Sequence, residues 1–150
     1  MRNNYCVSAA YLMAMKDTKI ALLKRKNTGY HDGEYSFIAG HIERNESPSL
    51  CIIREAKEEA GIEIEENDLK LVHIMYRKRE NDNTNERIDF IYKADKWSGN
   101  IVNNEIEKCE SIDWFNIIDI PNNIIPFVRA IIEEIEKGNM YSEYGWEKKT

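Results

Sequence analysis

Cysteine is scarce in this chain. Cys6, Cys51 and Cys109 are odd in number, far apart, and contain no C-x-x-C pair, which supports neither a disulfide framework nor a zinc knuckle. The histidines, His31, His41 and His73, show no H-x-x-x-H spacing, so the helical two-histidine metal motif is missing too. Three prolines and seven glycines in 150 residues form no Pro/Gly/Ser-rich linker, and no internal repeat is present. Long apolar runs are also lacking. The longest near the N-terminus, residues 7–15, contains Ser8 and is far too short to span a bilayer. No basic stretch, apolar run and small-residue cleavage site follow in order, so we expect a cytoplasmic protein. Basic charge is in deficit, 21 Lys and Arg against 27 Asp and Glu for a net −6. That argues against a nucleic-acid polymer or an anionic membrane as partner, since such binders need surplus cations to displace counterions.

What is present is globular: 42% hydrophobic and 32% charged residues, at a length suited to a single domain over residues 1–150. Residues 5–15 and 19–25 around the polar turn Lys16-Asp17-Thr18 read as a β-hairpin. A loop with Gly29 and Gly33 leads to a short strand at 35–38. Ser47-Pro48 is a helix start and Gly61 a natural stop, giving a helix over about 48–60. Residues 69–77, 87–93 and 111–115 read as strands, the first two joined by the polar loop 78–86. A second helix runs from 125 or 126 to 137, ended by Gly138, and should cap the sheet. This order predicts an α/β (α+β) fold in which a mixed β-sheet is sandwiched between α-helices.

The first helix is unusual. At about 100° per residue from Leu50, Glu58 falls near ~80°, Glu55 near ~140° and Glu59 near ~180°. Ile52, Ala56, Ala60 and Ile53 fall together on the opposite side as an apolar anchor. Glu55 meets Glu58 at i+3 and Glu59 at i+4, and each such pair costs about 0.2–0.5 kcal/mol. The positions i+4 from Glu58 and Glu59 hold Ile62 and Glu63, so no cation is expected to relieve them within the helix. A hard divalent ion would convert this repulsion into coordination, and a substrate carrying phosphates would need that positive charge in an acidic protein. The competing reading, a solvated acidic face, is common on surface helices.

Spacing favours the metal. Gly40 is followed after five residues by Glu46, and after seven more by Arg54-Glu55-Ala56-Lys57-Glu58-Glu59-Ala60-Gly61-Ile62. This resembles the signature of the Nudix hydrolases, with every fixed position met and Ala56 standing where a larger aliphatic is usual. Residues 27–33, the Gly40-His41-Ile42-Glu43 run, 103–109, Trp114-Phe115 and Tyr141 to Trp146 further resemble a bacterial subgroup of that family whose substrates are often unassigned.

The resemblance implies a Nudix fold and a Mg²⁺- or Mn²⁺-dependent pyrophosphohydrolase. Its substrate would be a small molecule in which a nucleoside diphosphate is linked to another moiety, as in a nucleoside triphosphate, nucleotide sugar or ADP-ribose. It assigns the metal to Glu55, Glu58 and Glu59 with the carbonyl of Ala39, and to Glu105 from a distant loop, where Ile106 replaces the subgroup's usual proline. Glu55 is assigned as general base, with Arg54 beside it in the catalytic set, orienting through an ion pair with Glu46. Gly40, Glu46 and Gly61 would be structural. Arg25, Arg77 and Arg87 are candidate phosphate contacts, because guanidinium forks match phosphate, and Tyr30 is a candidate platform for a flat ring. Cys51, near the carboxylates on the wheel, is given no nucleophilic role. A homodimer would be in keeping with the family. The alternative is a non-catalytic Nudix-like module that binds a nucleotide or ADP-ribose, against which all three carboxylates are intact.

Overall fold

The computed structural model describes residues 5–81 and 83–146. In order they form β1 (Val7–Lys16), β2 (Lys19–Arg25), β3 (Tyr35–Ser36), β4 (Ile38–His41), α1 (Pro48–Ala60), a 3₁₀ turn (Glu66–Asp68), β5 (Lys70–Arg77), β6 (Arg87–Ala94), β7 (Cys109–Asn116), α2 (Pro126–Glu136) and β8 (Tyr141–Tyr144).

β1 organises the molecule. Its apolar stretch is buried on both faces, which is why it reads as a nearly continuous hydrophobic run. Ala9, Tyr11, Met13 and Met15 join a core with Phe127, Val128, Ile131 and Ile132 of α2. Ala10, Leu12 and Ala14 join a second core with Cys51, Ile52, Ala56 and Ala60 of α1. The sheet therefore lies between the two helices, an α+β sandwich, and the period-2 alternation of one strand feeds both layers.

The sheet forks at β1. Residues 7–14 of β1 pair in parallel with β6, while β2 touches β1 only at Met15↔Ile20 and Lys16↔Lys19. β2 then swings away to pair with β3 on one side and β7 on the other. β4 takes its place beside β1, from Ala9↔His41 to Leu12↔Ile38. On the far side β6 pairs with β5, and β5 pairs in parallel with β8. The fork leaves an opening beside β2, bordered by Glu59 near the C-terminal end of α1.

α1 has the bounds its caps predict. The Ser47 hydroxyl accepts from Leu50 N–H at 3.3 Å, and Gly61 closes the helix at φ +68°, a left-handed conformation that favours glycine. Ala56 is fully buried, so the smaller residue is a packing variation in the core beneath the helix. One expectation about the strands is corrected. The single strand expected at 35–38 is two strands broken at Phe37, because the chain leaves β2 for β1 there. The segment 141–144 adds a third strand on the far side of β1, held to β5 by partners remote in sequence. Buried His73 secures this edge, with Nδ1–H donating to the Asn139 carbonyl at 2.8 Å and Nε2 accepting from the Ser142 hydroxyl at 2.7 Å. Among the described residues no helix is long and apolar enough to cross a membrane.

Candidate active site

The acidic face of α1 is pressed against β4. A Cβ on Gly40 would overlap the Cγ, Cδ and Oε1 atoms of Glu55, so a residue with no side chain is what lets that carboxylate lie against the strand. Gly40 is not among the positive-φ glycines. Its structural role is to permit close approach of the Glu55 side chain to the strand. One residue earlier, Ala39 donates its N–H to Glu59 Oε1 at 2.9 Å. Two helical carboxylates are thus registered to two consecutive residues of one strand.

Arg54 ties the rest together. Its Nε and Nη2 donate to the two oxygens of Glu46 at 2.7 and 3.0 Å, a bidentate pair. Nη1 reaches Glu55 at 2.7 Å and Glu58 at 3.2 Å, and Nη2 also donates to the His41 carbonyl at 3.3 Å. The expected Arg54–Glu46 pair is present. The expectation that no helical cation relieves Glu58 is corrected, because Arg54 stands four residues before it. Hydrogen bonds from Arg54 hold the Glu46 carboxyl down at about 2. Burial pushes Glu55 up from its ordinary value, opposed by Arg54. Burial pushes Glu59 well above the ordinary range, with the Glu55 charge adding to it and the Ala39 N–H opposing.

The segment 102–109 brings the distant carboxylate to this face. Val102 N–H donates to the Ala60 carbonyl at 3.1 Å, Asn104 N–H to the Glu59 carbonyl at 3.0 Å, and the Asn104 carboxamide to the Glu58 carbonyl at 3.2 Å. Asn103 braces the turn, accepting from Glu105 N–H at 3.1 Å and donating to the Cys109 carbonyl at 2.7 Å. Glu105 and Glu59 consequently border one opening of about 340 Å³, with Arg25, Thr28 and Lys108 on its other walls.

The residues suit a hard cation: the donors are carboxylate oxygens, and Glu59 is a carboxylate that burial and neighbouring negative charge both disfavour, the situation a divalent ion relieves. The carboxylates are presently distributed among Arg54 and the Ala39 N–H. Among the described residues no three His, Cys, Asp or Glu side chains stand close enough together to enclose an ion.

A second cavity of about 260 Å³ opens on the other side of Ala39 and Gly40. Its floor is Ala9, Tyr11, Ile125 and Phe127, and its rim carries Arg25, Tyr30, His41 and Arg87. Arg25 lines both cavities. Its Nε donates to the Tyr30 carbonyl at 2.7 Å and its Nη2 to the Thr28 hydroxyl at 3.1 Å. The loop is folded by Asp32, whose carboxylate accepts from the N–H groups of Thr28 and Gly29 and from the Thr28 hydroxyl, which lowers its value. Tyr30 donates its hydroxyl to Glu80 at 2.9 Å, linking this loop to residues 78–86; Asp82 of that loop lies outside the described residues. The Tyr30 ring has the Arg25 guanidinium at 5.5 Å and that of Arg87 at 5.4 Å, so its faces are already partnered by cations.

Arg77 does not join this rim. It is 3% exposed, ion-paired with fully buried Asp89, and stacked over the Phe127 ring at 3.6 Å. The position at the end of β5 concealed this, because a strand end next to a polar loop gives no sign of which way its last side chain points. Phe37 is likewise core. Cys51 is buried with its thiol directed at the Gly40 and His41 carbonyls and its value pushed up to about 12 by burial, so it is no nucleophile. Asn103, Asn104 and Asp89 escaped the sequence reading; only the resemblance of the 103–109 segment pointed near the first two.

The family model for the NUDIX domain matches residues 4–135. Among curated proteins, the NAD-capped RNA hydrolase NudC of Pseudomonas aeruginosa is 27% identical over 114 residues, 76% of this chain and 37% of that protein. The chain thus spans little more than a third of the length of the curated relatives it matches. Among solved structures, a MutT NUDIX hydrolase from Burkholderia pseudomallei superposes with a TM-score of 0.78 at 23% identity, over 87% of this chain and 98% of that one. The MutT protein of Bacillus halodurans superposes with a TM-score of 0.73 at 17% identity, over 91% and 88%. A bifunctional NMN adenylyltransferase/ADP ribose pyrophosphatase from Francisella tularensis, complexed with AMP and a manganese ion, superposes with a TM-score of 0.66 at 17% identity, over 91% and 43%. At these identities the structures share the fold.

Proposed function

Since the chain belongs to the NUDIX family, we propose that it is a hydrolase of acid anhydrides, a divalent-metal-dependent pyrophosphohydrolase. Its substrate is a nucleoside diphosphate linked to another moiety, cleaved at the diphosphate by water. The observation that carries this reading is the pressing of Glu55 and Glu59 onto Gly40 and Ala39, with Glu58 and Glu105 beside them. Glu55, Glu58, Glu59, Glu105 and the Ala39 carbonyl would hold Mg²⁺ or Mn²⁺. That ion supplies charge neutralisation of the phosphate oxygens and a more acidic water.

The chain's own groups do the rest. Glu55, whose proton affinity burial has raised, takes the proton of the attacking water as its oxygen bonds to phosphorus. The P–O bond to the bridging oxygen breaks, and the second phosphate leaves with that electron pair. Arg54, fixed on Glu46, positions Glu55 and Glu58 through Nη1. Arg25, at the seam of the two cavities, steadies the diphosphate with its planar fork. In this reading residues 1–150 act as one domain, which the continuous sheet of the described residues supports, and they work in the cytoplasm.

The test is a panel of nucleoside triphosphates, ADP-ribose, dinucleoside polyphosphates and nucleotide sugars with Mg²⁺ or Mn²⁺, with released phosphate read after phosphatase coupling. Turnover abolished by EDTA and reduced at least about 10²-fold in Glu58→Gln is expected. Nucleotide binding with no turnover of any substrate would instead make the protein a sensor.

A further inference from the structure

In an acidic chain of net −6, two half-buried guanidiniums line one cavity with no carboxylate in direct ion-pair contact among the described residues; the charges of Asp32 and Glu59 reach Arg25, and that of Asp89 reaches Arg87, only from farther off. Arg25 and Arg87 form no salt bridge among the described residues. Arg25 donates to neutral oxygens of Tyr30 and Thr28. The Arg87 side chain has, among the described residues, a single hydrogen-bond partner: its Nη1 lies 3.4 Å from His41 Nε2. A guanidinium only donates, so His41 accepts with Nε2 and is neutral there. Arg87 is thereby held between an imidazole and the Tyr30 ring, with most of its five N–H donors left over. A partly desolvated cation whose nearest anions stand beyond hydrogen-bond reach is less well satisfied in the free protein than when a ligand supplies a direct one.

The remaining polar lining sharpens the ligand's chemistry. Tyr11, Tyr30 and Ser36 also line it, with the Tyr30 hydroxyl bonded to Glu80 and the Tyr11 hydroxyl to Arg77, and among the described residues no carboxylate or carboxamide side chain lines the cavity. The carboxylates nearby are engaged: Glu80 by Tyr30 and His31, Asp89 by Arg77. The cavity adjoins the carboxylate-bordered one at Arg25, so a run of phosphates starting at Glu59 and Glu105 and passing Arg25 would next meet Arg87.

We propose that Arg87, held in place by His41 and Tyr30, binds a further phosphoryl group beyond the diphosphate that is cleaved, and so sets specificity toward nucleoside polyphosphates over nucleotides carrying an uncharged sugar. This rests on the hydrolase reading above, and the experiment separates the two. Wild type, Arg87→Met and Arg87→Lys are compared on ATP, GTP, CTP and UTP against ADP-ribose and UDP-glucose with Mg²⁺ or Mn²⁺. Binding of inorganic tripolyphosphate is measured in parallel by calorimetry in EDTA. Wild type favours the triphosphates. Arg87→Met lowers their kcat/KM about tenfold to a hundredfold, the worth of one charge-assisted pair, and changes ADP-ribose by no more than about threefold. Tripolyphosphate affinity falls by a similar factor, and Arg87→Lys, which keeps charge without the fork, falls between. His41→Phe lowers the triphosphate preference and His41→Gln, which retains an acceptor, restores most of it. Equal losses on both substrate classes, unchanged tripolyphosphate affinity in Arg87→Met, or a ranking that follows the base rather than the number of phosphates would overturn the proposal. If wild type turns over nothing on the panel, the hydrolase reading fails, while tripolyphosphate binding still decides the role of Arg87.

Discussion

Replacing Gly40 with alanine separates catalysis from folding in one methyl group. The added Cβ would overlap Cγ, Cδ and Oε1 of Glu55, and all three of its nearest atoms belong to that one flexible side chain, none to backbone. The φ of Gly40 lies outside the positive region, so alanine adds no dihedral strain. The fold can therefore relax by swinging the Glu55 carboxylate away from β4, at a cost near the low end of overpacking, about 1 kcal/mol. That corresponds to roughly 2–4 °C in melting temperature for a chain of this size. The displaced carboxylate moves by an ångström or more, and a misplacement of about 1 Å costs on the order of 10²-fold in rate. The assay pairs thermal unfolding with metal-dependent turnover of the best substrate on the panel. In a Glu55→Ala background the same substitution should cost almost nothing in stability, because the clash partner is gone. A Gly40→Ala protein with full activity, or one destabilised by several kcal/mol in both backgrounds, would refute the close-approach argument.

Other predictions follow from the same geometry. Arg54→Met removes the bidentate pair to Glu46 and should cost about 1–3 kcal/mol at neutral pH, read by urea unfolding. Because Arg54 depresses Glu46 to about 2, that stabilisation exists above the ordinary carboxyl value and is lost as pH falls toward about 2. The wild-type stability curve should therefore drop in acid through that window, and the Arg54→Met curve should drop less. Asp89→Ala leaves the buried Arg77 guanidinium without its partner and should destabilise by about 3–5 kcal/mol, whereas the double change Arg77→Met/Asp89→Leu should recover most of that loss in chemical denaturation. Glu59→Gln keeps an acceptor for the Ala39 N–H and removes a disfavoured buried charge, so its melting temperature should equal or exceed wild type while metal-dependent turnover falls at least about 10²-fold.

The sequence displayed the parts of this protein whose cause is local. α1 was legible to the residue because Ser47, Pro48 and Gly61 specify its ends through their own chemistry. The hairpin was legible because Asp17, at φ +55°, sits in a tight polar turn between two apolar runs. The acidic face of α1 was legible from helical spacing alone. What was hidden depends on partners remote in sequence. The four residues of β8 alternate between exposed and half-buried and gain strand structure only from β5. Glu58 looks unrelieved in the forward direction, where Ile62 stands at i+4, while its cation, Arg54, stands one turn behind it. Arg77 and Arg87 both flank the same polar loop and look alike in sequence. Cross-strand neighbours turned the first onto Asp89 and the second into a cavity.

The account depends on the carboxylates of α1 converging on one divalent ion. The most direct measurement is calorimetric titration of Mn²⁺ into the protein, wild type against Glu59→Gln, with unfolding curves to show that both are folded. Saturable binding by wild type that is lost or weakened at least about tenfold in Glu59→Gln is the expected result. Two folded proteins that bind the ion equally, or not at all, would contradict it.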